Sequence, residues 1–298
     1  MSTMIVNGKE VEVTHLDKVM FPKVGINKAE LINYYIQYAK YILPWLKDRP
    51  FTMVPYPHGV EGKHFYQKRQ PEKAPDYLRS VTLPSDSEKG DIAWSLVNDL
   101  PSIVYMANRA CIEMHAWFSR VPHLLEPDVA IFDLDPSGNT GYEDAVAAAK
   151  LIHIILDDMG VKAFPKTSGA TGLHVVIPIE PTPYEKVREF LTAVCKLVVQ
   201  ADPEHFTIER TIKKRGDKVY LDAVQNAKGK TIPSPYSVRA TDDATVSTPI
   251  TWQELERGID PKLFTLQTMD QRMKDVGDLF EPVYTMRQKL PDVDSFLH

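Results

Sequence analysis

The alternation of apolar and polar positions along the chain predicts short strands separated by longer helices. Residues 129–136 form a mostly apolar run that contains two aspartates near its end, as expected for a buried strand with charges at its end. Similar runs at 112–117, 161–167 and 175–179 predict further strands. Near the N-terminus, Asn7-Gly8 separates two alternating segments and predicts a hairpin turn.

The helices are indicated by apolar residues that recur every three or four positions and by capping residues. Asn27 followed by Glu30 predicts a capping box for a helix that ends before Pro44. Segments 140–159 and 182–200 predict two more helices. The order strand, helix, strand, strand, helix predicts an α+β fold in which helices pack on one face of a sheet.

Composition limits the class of protein. A chain of 298 residues with 43% hydrophobic residues can bury a substantial core, and no apolar run approaches the roughly 20 residues of a membrane span. Cys111 and Cys195 lie in apolar segments far apart in sequence, so we expect two buried free thiols in a reducing cytoplasm. The N-terminus lacks the pattern of a signal peptide, which supports the same compartment.

Charge is distributed unevenly, which changes what the net charge of −5 implies about nucleic acid. Residues 207–239 contain eight Lys or Arg against three acidic residues, whereas residues 240–298 contain six against eleven. The first of these segments is predicted to include a basic hairpin within 206–224. Its charge is typical of a surface that contacts phosphates, although a solvated surface hairpin explains the same composition.

Three aspartates carry the strongest chemical signal. Asp133 and Asp135 are two residues apart on a predicted strand, so both carboxylates face one side and repel each other unless a cation lies between them. Asp222 lies in an otherwise apolar run, where an unpaired carboxylate costs on the order of several kcal/mol. Together the three can hold two divalent ions, which stabilise the attacking and leaving oxygens of a phosphoryl displacement. An Asp-x-Asp pair alone also occurs as a helix cap or in other enzyme classes.

Residues that suit a phosphate complement these aspartates. The turn from Ser168 to Gly172 can direct backbone N–H groups at an anion, and His174 adds a donor. Arg239 and the basic segment 213–215 supply the positive charge that a triphosphate requires. Metal ligands, phosphate-binding turn and cations together favour nucleotidyl transfer.

Two further segments have both a functional and a structural explanation. In residues 63–69, aromatic rings alternate with cations, which suits stacking on bases and contact with phosphates but also fits an ordinary edge strand. In residues 112–117, Glu113 and His115 are predicted to face the same side of a strand. A lone histidine in such a place is more often structural than functional.

Four motifs together resemble the polymerase domain of bacterial ligase D, a member of the archaeo-eukaryotic primase-polymerase superfamily. They are Leu16-Asp-Lys-Val-Met-Phe-Pro22, Asp133-Leu-Asp-Pro136, Ser168-Gly-x-x-Gly-Leu-His174, and Tyr220-Leu-Asp222 continuing through Gln225-Asn226 to Pro235-Tyr-Ser-Val-Arg239. The similarity extends from about residue 10 to about residue 285.

The resemblance implies a primase-polymerase fold: an RRM-like mixed or antiparallel catalytic sheet flanked by helices, with an additional N-terminal α/β portion. We therefore predict one domain over residues 1–298. Within it we expect an N-terminal portion of about 1–125, a catalytic portion of about 126–240 and a C-terminal helical extension of about 241–298.

The resemblance also implies a function. The activity would be template-directed addition of nucleotides, with ribonucleotides preferred, at DNA ends during non-homologous end joining. The implied cofactors are two Mn²⁺ or Mg²⁺ ions, and the implied substrates are NTPs or dNTPs and primer-template or gapped DNA with a 5′-phosphate. Ku and an ATP-dependent DNA ligase are the implied partners, and no membrane is involved. The implied location is the nucleoid in the cytoplasm of a prokaryote.

Carried over residue by residue, the resemblance assigns roles to positions spread over the chain. The implied catalytic and metal-binding residues are Asp133, Asp135 and Asp222. The residues implied to hold the nucleotide are His115, Ser168, Gly169, His174, Arg215, Gln225 and Arg239, with Lys68 near its phosphates. Lys18 and Lys28 are implied to bind the downstream 5′-phosphate, and Phe65 and Tyr66 to stack on the template.

Departures and alternatives accompany this interpretation. Thr171 stands in the Ser-Gly-x-x-Gly loop where many family members have Lys or Arg, so triphosphate affinity is in doubt. The run Phe132-Asp-Leu-Asp135 also resembles the opening motif of haloacid-dehalogenase-type phosphatases, although Pro136-Ser137 continues that motif poorly. A module that binds nucleic acid without catalysis is the non-enzyme alternative.

Overall fold

A computed structural model describes residues 2–84 and 90–293 of the chain. Its strands, in chain order, are β1 (Ser2–Val6), β2 (Lys9–Val13), β3 (Val19–Phe21), β4 (Ile26–Asn27), β5 (Pro50–Pro55), β6 (Arg79–Pro84), β7 (Asp91–Leu96), β8 (Cys111–Ala116), β9 (Val129–Pro136), β10 (Phe164–Thr167), β11 (Leu173–Pro178), β12 (Phe206–Thr207), β13 (Val219–Asp222) and β14 (Ile232–Pro233). Its helices are α1 (Lys28–Leu46), α2 (Leu100–Asn108), α3 (Tyr142–Asp158), α4 (Tyr184–Ala201), α5 (Ile212–Arg215), α6 (Trp252–Glu256), α7 (Met269–Val276) and α8 (Glu281–Thr285). This content confirms the predicted α+β class.

The chain forms two compact units that alternate along the sequence. The first unit comprises the chain up to Val121 together with Thr231–Ser247 and Lys262–Asp275. The second comprises Pro122–Lys230, Thr248–Pro261 and the chain from Val276 onward. The three portions proposed from the sequence are contiguous stretches, whereas both units are assembled from separate stretches. The predicted division therefore stays a prediction, with its first boundary close to Val121.

The first unit is built around an antiparallel sheet with the strand order β14-β8-β5-β7-β6. Strands β5 and β8 are buried along their whole length, and α1 and α2 pack against each other and against β8. The predicted N-terminal hairpin is confirmed as β1 and β2, with Val6 paired to Lys9 across the turn.

Helix α1 begins as predicted and ends later than predicted. Asn27 accepts from the N–H of Glu30, and the Glu30 carboxylate accepts from the N–H of Asn27, which confirms the capping box. The helix continues past Pro44 to Leu46. The Arg120 guanidinium donates to the carbonyl of Pro44 at 3.0 Å, so a cation satisfies carbonyl groups at the helix end.

The second unit contains a mixed sheet with the order β10-β11-β9-β13-β12. Neighbouring strands are antiparallel except β12 and β13, which run parallel. Helices α3 and α4 contact each other and β9, so they cover the same face of this sheet, as predicted. Because β9 is the central strand, the aspartates at its end have a neighbouring strand on each side.

Two local predictions in the second unit are wrong. The basic segment does not form a hairpin, because β12 and β13 are parallel and the helical turn α5 lies between them. Helix α3 begins at Tyr142 and not at a Thr140–Glu143 capping box. The Thr140 hydroxyl instead bonds to Ser137, and Asp144 accepts from the N–H of Gly141 at 2.7 Å.

Both cysteines are buried and unoxidised, which confirms the expectation of free thiols. Among the helices in the described ranges, none is long and apolar enough to cross a membrane.

Candidate functional site

The three predicted metal-binding aspartates lie on two neighbouring strands of the second unit. In the antiparallel pairing of β9 and β13, Asp133 is opposite Asp222 and Asp135 is opposite Tyr220. Residues two apart on a strand share a face, and so do residues directly opposite each other on paired strands. The structure therefore brings all three carboxylates to one face of the sheet.

Asp133 and Asp222 destabilise each other's negative charge. Burial raises the pKa of Asp222, and the charge of Asp133 raises it further, against the N–H of Gln225, which donates to Asp222 Oδ1 at 2.9 Å. On the other side of β9, buried His174 is opposite Asp133, with its Nε2 3.2 Å from Asp133 Oδ1. The pair of carboxylates is thus a place where a cation would lower the free energy.

A divalent ion fits this donor set, although the protein side chains alone do not enclose one. Within residues 2–84 and 90–293, no group of three or more His, Cys, Asp or Glu side chains is arranged to hold a metal ion. Mg²⁺ and Mn²⁺ prefer oxygen ligands, and Mg²⁺ usually binds through one or two carboxylates together with substrate phosphates. The opposed pair Asp133 and Asp222, with Asp135 on the same face, provides carboxylates of this kind.

The Ser-Gly-x-x-Gly loop follows β10 and is closed by its own serine. The Ser168 hydroxyl oxygen accepts from the N–H groups of Ala170 at 3.1 Å and Gly172 at 3.0 Å. Two of the N–H groups predicted to face an anion are therefore used within the loop. A Cβ on Gly172 would lie 2.6 Å from the carbonyl oxygen of Leu134, so this position needs glycine to pack beside the aspartates. Thr171 is exposed at the tip.

Gln225 contacts Asp222 through its N–H, and Arg215 contacts Tyr220 on the strand that carries Asp222. The Arg215 guanidinium stacks 3.7 Å from the ring centre of Tyr220, two residues before Asp222 on the same strand. Its Nε donates to the carbonyl of Glu209 at 3.0 Å, which fixes the helical turn that carries it. Arg215 therefore lies against the strand that carries Asp222, and Gln225 bonds to Asp222 itself.

Asn226 is a structural partner of this site that the sequence does not reveal by spacing. Its fully buried side chain bonds to β9 in both directions: Ile131 N–H donates to Oδ1 at 2.9 Å, and Nδ2 donates to the Ile131 carbonyl at 2.7 Å. The amide thereby replaces the backbone pairing that β13 would offer beyond Asp222. It holds the strand two residues before Asp133.

A second polar cluster lies in the first unit, on β8. Glu113 and His115 face the same side, as predicted, with Glu113 Oε2 2.8 Å from His115 Nε2. Arg239 Nε lies 3.1 Å from Glu113 Oε1, and the N–H of Ala240 donates to the same oxygen at 3.0 Å. The structure therefore places the predicted nucleotide residues His115 and Arg239 on one buried carboxylate.

The aromatic segment of the first unit exposes two rings. Phe65 is 50% exposed and Tyr66 is 62% exposed, which is unusual for large side chains and suits stacking on a base. The Tyr66 ring meets the His115 ring edge to face, with centroids 6.2 Å apart. Lys68 lies 5.9 Å from the ring centre of Trp94. Template stacking by Phe65 and Tyr66, and contact of Lys68 with the nucleotide phosphates, stay predictions.

Lys18 and Lys28 line one cavity of about 520 Å³ in the first unit, which we call the basic cavity. Lys28 as a residue is almost fully buried, and its ammonium group donates to the carbonyl of Asn108, the last residue of α2, at 2.8 Å. Lys18 donates to the carbonyl of Pro57. Burial lowers the pKa of Lys28, and the charge of Lys18 lowers it further.

The walls of the basic cavity include cations that the motifs did not single out. Lys73 and Arg109 line it together with Phe65, while Glu12 is the acidic residue among the lining side chains. Arg109 directly follows α2, whose C-terminal carbonyls favour a cation. The excess of positive charge makes this cavity suited to an anion.

Comparison with known proteins identifies relatives of the whole chain. The model of the LigD primase-polymerase domain matches residues 27–280. The bifunctional non-homologous end joining protein LigD of Bacillus subtilis is 35% identical over 291 residues, which cover 97% of this chain and 46% of that protein. The multifunctional non-homologous end joining protein LigD of Mycolicibacterium smegmatis is 30% identical over 280 residues, covering 92% of this chain and 36% of that protein.

The similarity extends to three dimensions. The structure of the polymerase domain from Mycobacterium tuberculosis Ligase D, solved in complex with DNA, superposes with a TM-score of 0.85 at 29% identity, covering 93% of this chain and 99% of that chain. The chain spans less than half the length of the two LigD proteins above. The matched family model is of a primase-polymerase domain and the matched structure is of a polymerase domain, so the comparisons favour the primase-polymerase interpretation over the dehalogenase-type alternative.

Proposed function

The chain belongs to the LigD primase-polymerase domain family, and we propose that it is a metal-dependent nucleotidyltransferase that adds nucleotides to DNA ends during non-homologous end joining. The observation that carries this proposal is the register of β9 and β13, which sets Asp133 opposite Asp222 and places Asp135 on the same face. The relatives bear names of non-homologous end joining proteins, and the similar polymerase domain was solved with DNA.

In the proposed reaction, Asp133, Asp135 and Asp222 hold two Mn²⁺ or Mg²⁺ ions. Divalent ions bound there supply charge stabilisation for the attacking and leaving oxygens of the phosphoryl displacement. His174 fixes the position of Asp133 through its Nε2, and the N–H of Gln225 fixes Asp222. The protein thus orients the carboxylates before substrate arrives, which is what electrostatic preorganisation requires.

Residues implied by the family resemblance are proposed to bind the incoming nucleotide. His174 is opposite Asp133 and follows the closed loop of Ser168 and Gly169, the N–H of Gln225 bonds to Asp222, and Arg215 stacks on Tyr220. His115, Arg239 and Lys68 are also proposed to contact a nucleotide. Of these, His115 and Arg239 both lie against the Glu113 carboxylate. Because two loop N–H groups bond to Ser168, charged side chains are expected to contribute more to phosphate binding than the loop backbone does.

The basic cavity is proposed to bind the 5′-phosphate at the downstream side of a gap. Lys18 and Lys28 are held by backbone carbonyls and line the cavity together. Phe65 lines the same cavity, and we propose that it and the exposed Tyr66 stack on the template. Ku and an ATP-dependent DNA ligase are the proposed partners, and the nucleoid is the proposed location.

Primer extension tests the proposal. A 5′-labelled primer annealed to a template with a 5′ overhang is incubated with the protein, Mn²⁺ and nucleoside triphosphates. Stepwise lengthening of the primer is expected; release of phosphate without lengthening would point to a phosphatase, and a gel shift alone to a binding module.

Sugar selection is tested in the same assay. Opposite a templating T, ATP is expected to be incorporated in preference to dATP, as the family resemblance implies. Such a preference requires a polar group of the protein that hydrogen-bonds to the 2′-hydroxyl. Ser168→Ala is the first variant to examine. If wild-type protein incorporates dATP in preference to ATP, the proposed ribonucleotide preference is wrong.

A further inference from the structure

Glu113 joins the two residues of the first unit that are proposed to bind nucleotide. Its Oε2 is 2.8 Å from His115 Nε2, while its Oε1 is 3.1 Å from Arg239 Nε and accepts from the N–H of Ala240 at 3.0 Å. Both carboxylate oxygens are therefore engaged, and each is directed at a different partner. The chain segments that meet at this carboxylate are β8 and the stretch that follows β14.

Burial makes the negative charge of Glu113 depend on these partners. Glu113 and His115 are each 6% exposed, so solvent contributes little to either charge. Burial alone raises the pKa of Glu113, but the hydrogen bond with His115, the charge of Arg239, the charge of His115 and the N–H of Ala240 outweigh it and lower the pKa to about 2. Glu113 is therefore ionised at neutral pH and can only accept hydrogen bonds.

An ionised Glu113 fixes how His115 presents its ring. Because the carboxylate accepts, a hydrogen of the His115 ring resides on Nε2 in both the charged and the neutral form of the ring. The Tyr66 ring meets the histidine edge to face at 6.2 Å, which further limits its orientation. The His115 ring is therefore held in a defined orientation by Glu113 and Tyr66.

The same carboxylate orients Arg239. Arg239 Nε lies within ion-pair distance of Glu113 Oε1, at 3.1 Å, so the position of the guanidinium group depends on this carboxylate. The bond from Ala240 to Glu113 fixes the backbone immediately after the arginine. Glu113 therefore contacts both the side chain of Arg239 and the backbone of the next residue, Ala240.

We propose that Glu113 is a positioning residue that holds His115 and Arg239 in the geometry needed to bind a nucleoside triphosphate. This inference rests on the proposed function, because it takes both residues to contact the nucleotide. Glu113 itself is negatively charged and is not expected to touch the triphosphate. A purely structural carboxylate would stabilise the fold and leave nucleotide affinity unchanged.

The test compares nucleotide affinity in Glu113→Gln and a matched control. Asp128→Asn is the control, because Asp128 is also buried and also paired with an arginine, with its Oδ2 3.6 Å from Arg287 Nη2, outside the proposed sites. Binding of a non-hydrolysable ribonucleoside triphosphate is measured by calorimetry with Mn²⁺ present, and folding by thermal melting. Glu113→Gln is expected to weaken binding by about tenfold to a hundredfold, the effect of misplacing a binding group, while Asp128→Asn stays within twofold of wild type.

A conservative variant covers the case in which Glu113→Gln does not fold. Glu113→Asp keeps the charge but shortens the side chain by one methylene group, so a folded protein with weakened binding is expected. Equal affinity of wild type and either folded Glu113 variant would overturn the proposal. So would an equal loss of affinity in Asp128→Asn, because that result assigns the effect to the loss of any buried carboxylate.

Histidine NMR separates failure of this inference from failure of the proposed function. In the wild type, ¹⁵N shifts of the His115 ring are expected to show hydrogen on Nε2, and in Glu113→Gln the ring should titrate at lower pH because its anionic partner is gone. Unchanged His115 shifts and titration would overturn the positioning role whatever the protein binds. If the shifts change as expected but wild type binds no nucleotide, the proposed function fails, and with it the purpose assigned to Glu113.

Discussion

Each unit contains a pair of like charges, and the surroundings of the two pairs differ. In the second unit, Asp133 and Asp222 lie opposite each other on paired strands, and burial and mutual repulsion raise the pKa of Asp222. In the first unit, Lys18 and Lys28 line one cavity, but each ammonium group donates to a backbone carbonyl. Both pairs carry repulsion, because the charge of Lys18 also lowers the pKa of Lys28, but the carboxylates lie directly opposite each other on paired strands, whereas each ammonium group is bonded to a carbonyl.

The difference indicates how much each pair depends on its ligand. Opposed carboxylates keep an unfavourable interaction until a cation binds, so their arrangement is best explained by a function. The lysines are partly satisfied by carbonyl dipoles, including the C-terminal end of α2, which offset part of the cost of burying the charge of Lys28 beside Lys18 before an anion binds. We therefore expect changes to the carboxylates to affect the reaction more than changes to the lysines do.

The largest effect is expected from the aspartates. Asp133→Ala, Asp135→Ala and Asp222→Ala should each reduce primer extension by at least about a hundredfold, because each removes a proposed ligand of the ions that stabilise the reacting oxygens. DNA binding, measured by gel shift, should stay near the wild-type level. Glu189→Ala removes an exposed acid of the second unit and is the control. Retention of more than a few per cent of activity in Asp135→Ala would exclude Asp135 from the ligand set.

A moderate effect is expected from the lysines. DNA with a downstream 5′-phosphate should bind about tenfold more tightly than the same DNA with a 5′-hydroxyl, an increment of about 1.4 kcal/mol. Lys18→Ala with Lys28→Ala should abolish that difference and spare extension of a simple primer-template. The matched control is Lys23→Ala, since Lys23 is exposed and pairs with Asp243. Equal binding of both DNA ends by wild type would remove the proposed role of the basic cavity.

A smaller effect is expected in stability. The pKa of Asp222 is raised above 3.8 in the folded state, so its ionisation opposes folding. The penalty is absent below pH 3.8 and is fully present once the pH exceeds the folded pKa. Asp222→Asn should therefore raise the melting temperature of the metal-free protein at pH 7 by a few degrees, which corresponds to about 1 kcal/mol in the free energy of unfolding for a domain of this size. The increase should be smaller near pH 4. A lower melting temperature at pH 7 would show that Asp222 stabilises the fold without a metal.

The smallest effect is expected in the pH dependence of end recognition. Burial and the charge of Lys18 lower the pKa of Lys28 below its ordinary 10.5. Lys28 is charged at neutral pH and loses its charge as pH rises through that lowered value. The preference for a 5′-phosphate should then begin to fall at a pH below 10.5, as measured by binding of both DNA ends across the alkaline range. A preference that stays constant up to pH 10.5 would contradict this role for Lys28.

Sequence patterns sufficed where local chemistry determines the structure. The capping box at Asn27 and Glu30 forms because neither side chain needs a distant partner. The common face of Glu113 and His115 follows from strand geometry alone. The proximity of Asp222 to Asp133 is predicted only by chemical reasoning and family resemblance. About 90 residues separate the two aspartates, and neither segment alone indicates which strand it pairs with.

Predictions failed where tertiary contacts override local preference. Helix α1 continues through Pro44, where Arg120 from a distant segment satisfies its terminal carbonyls. The region before Asp222 has the pattern of two short strands close together in sequence, which predicts a hairpin, whereas β12 and β13 pair in parallel. The hydrogen bonds of Asn226 with Ile131 likewise depend on where β9 lies after folding.

The central claim is that the opposed carboxylates of β9 and β13 form a divalent-cation site. Electron paramagnetic resonance of Mn²⁺, titrated into the protein with a non-hydrolysable ribonucleoside triphosphate, measures that binding directly. Wild type is expected to bind Mn²⁺ at least about tenfold more tightly than Asp133→Asn or Asp222→Asn, because each substitution removes one anionic oxygen ligand. Equal Mn²⁺ affinity in wild type and both variants would contradict the account.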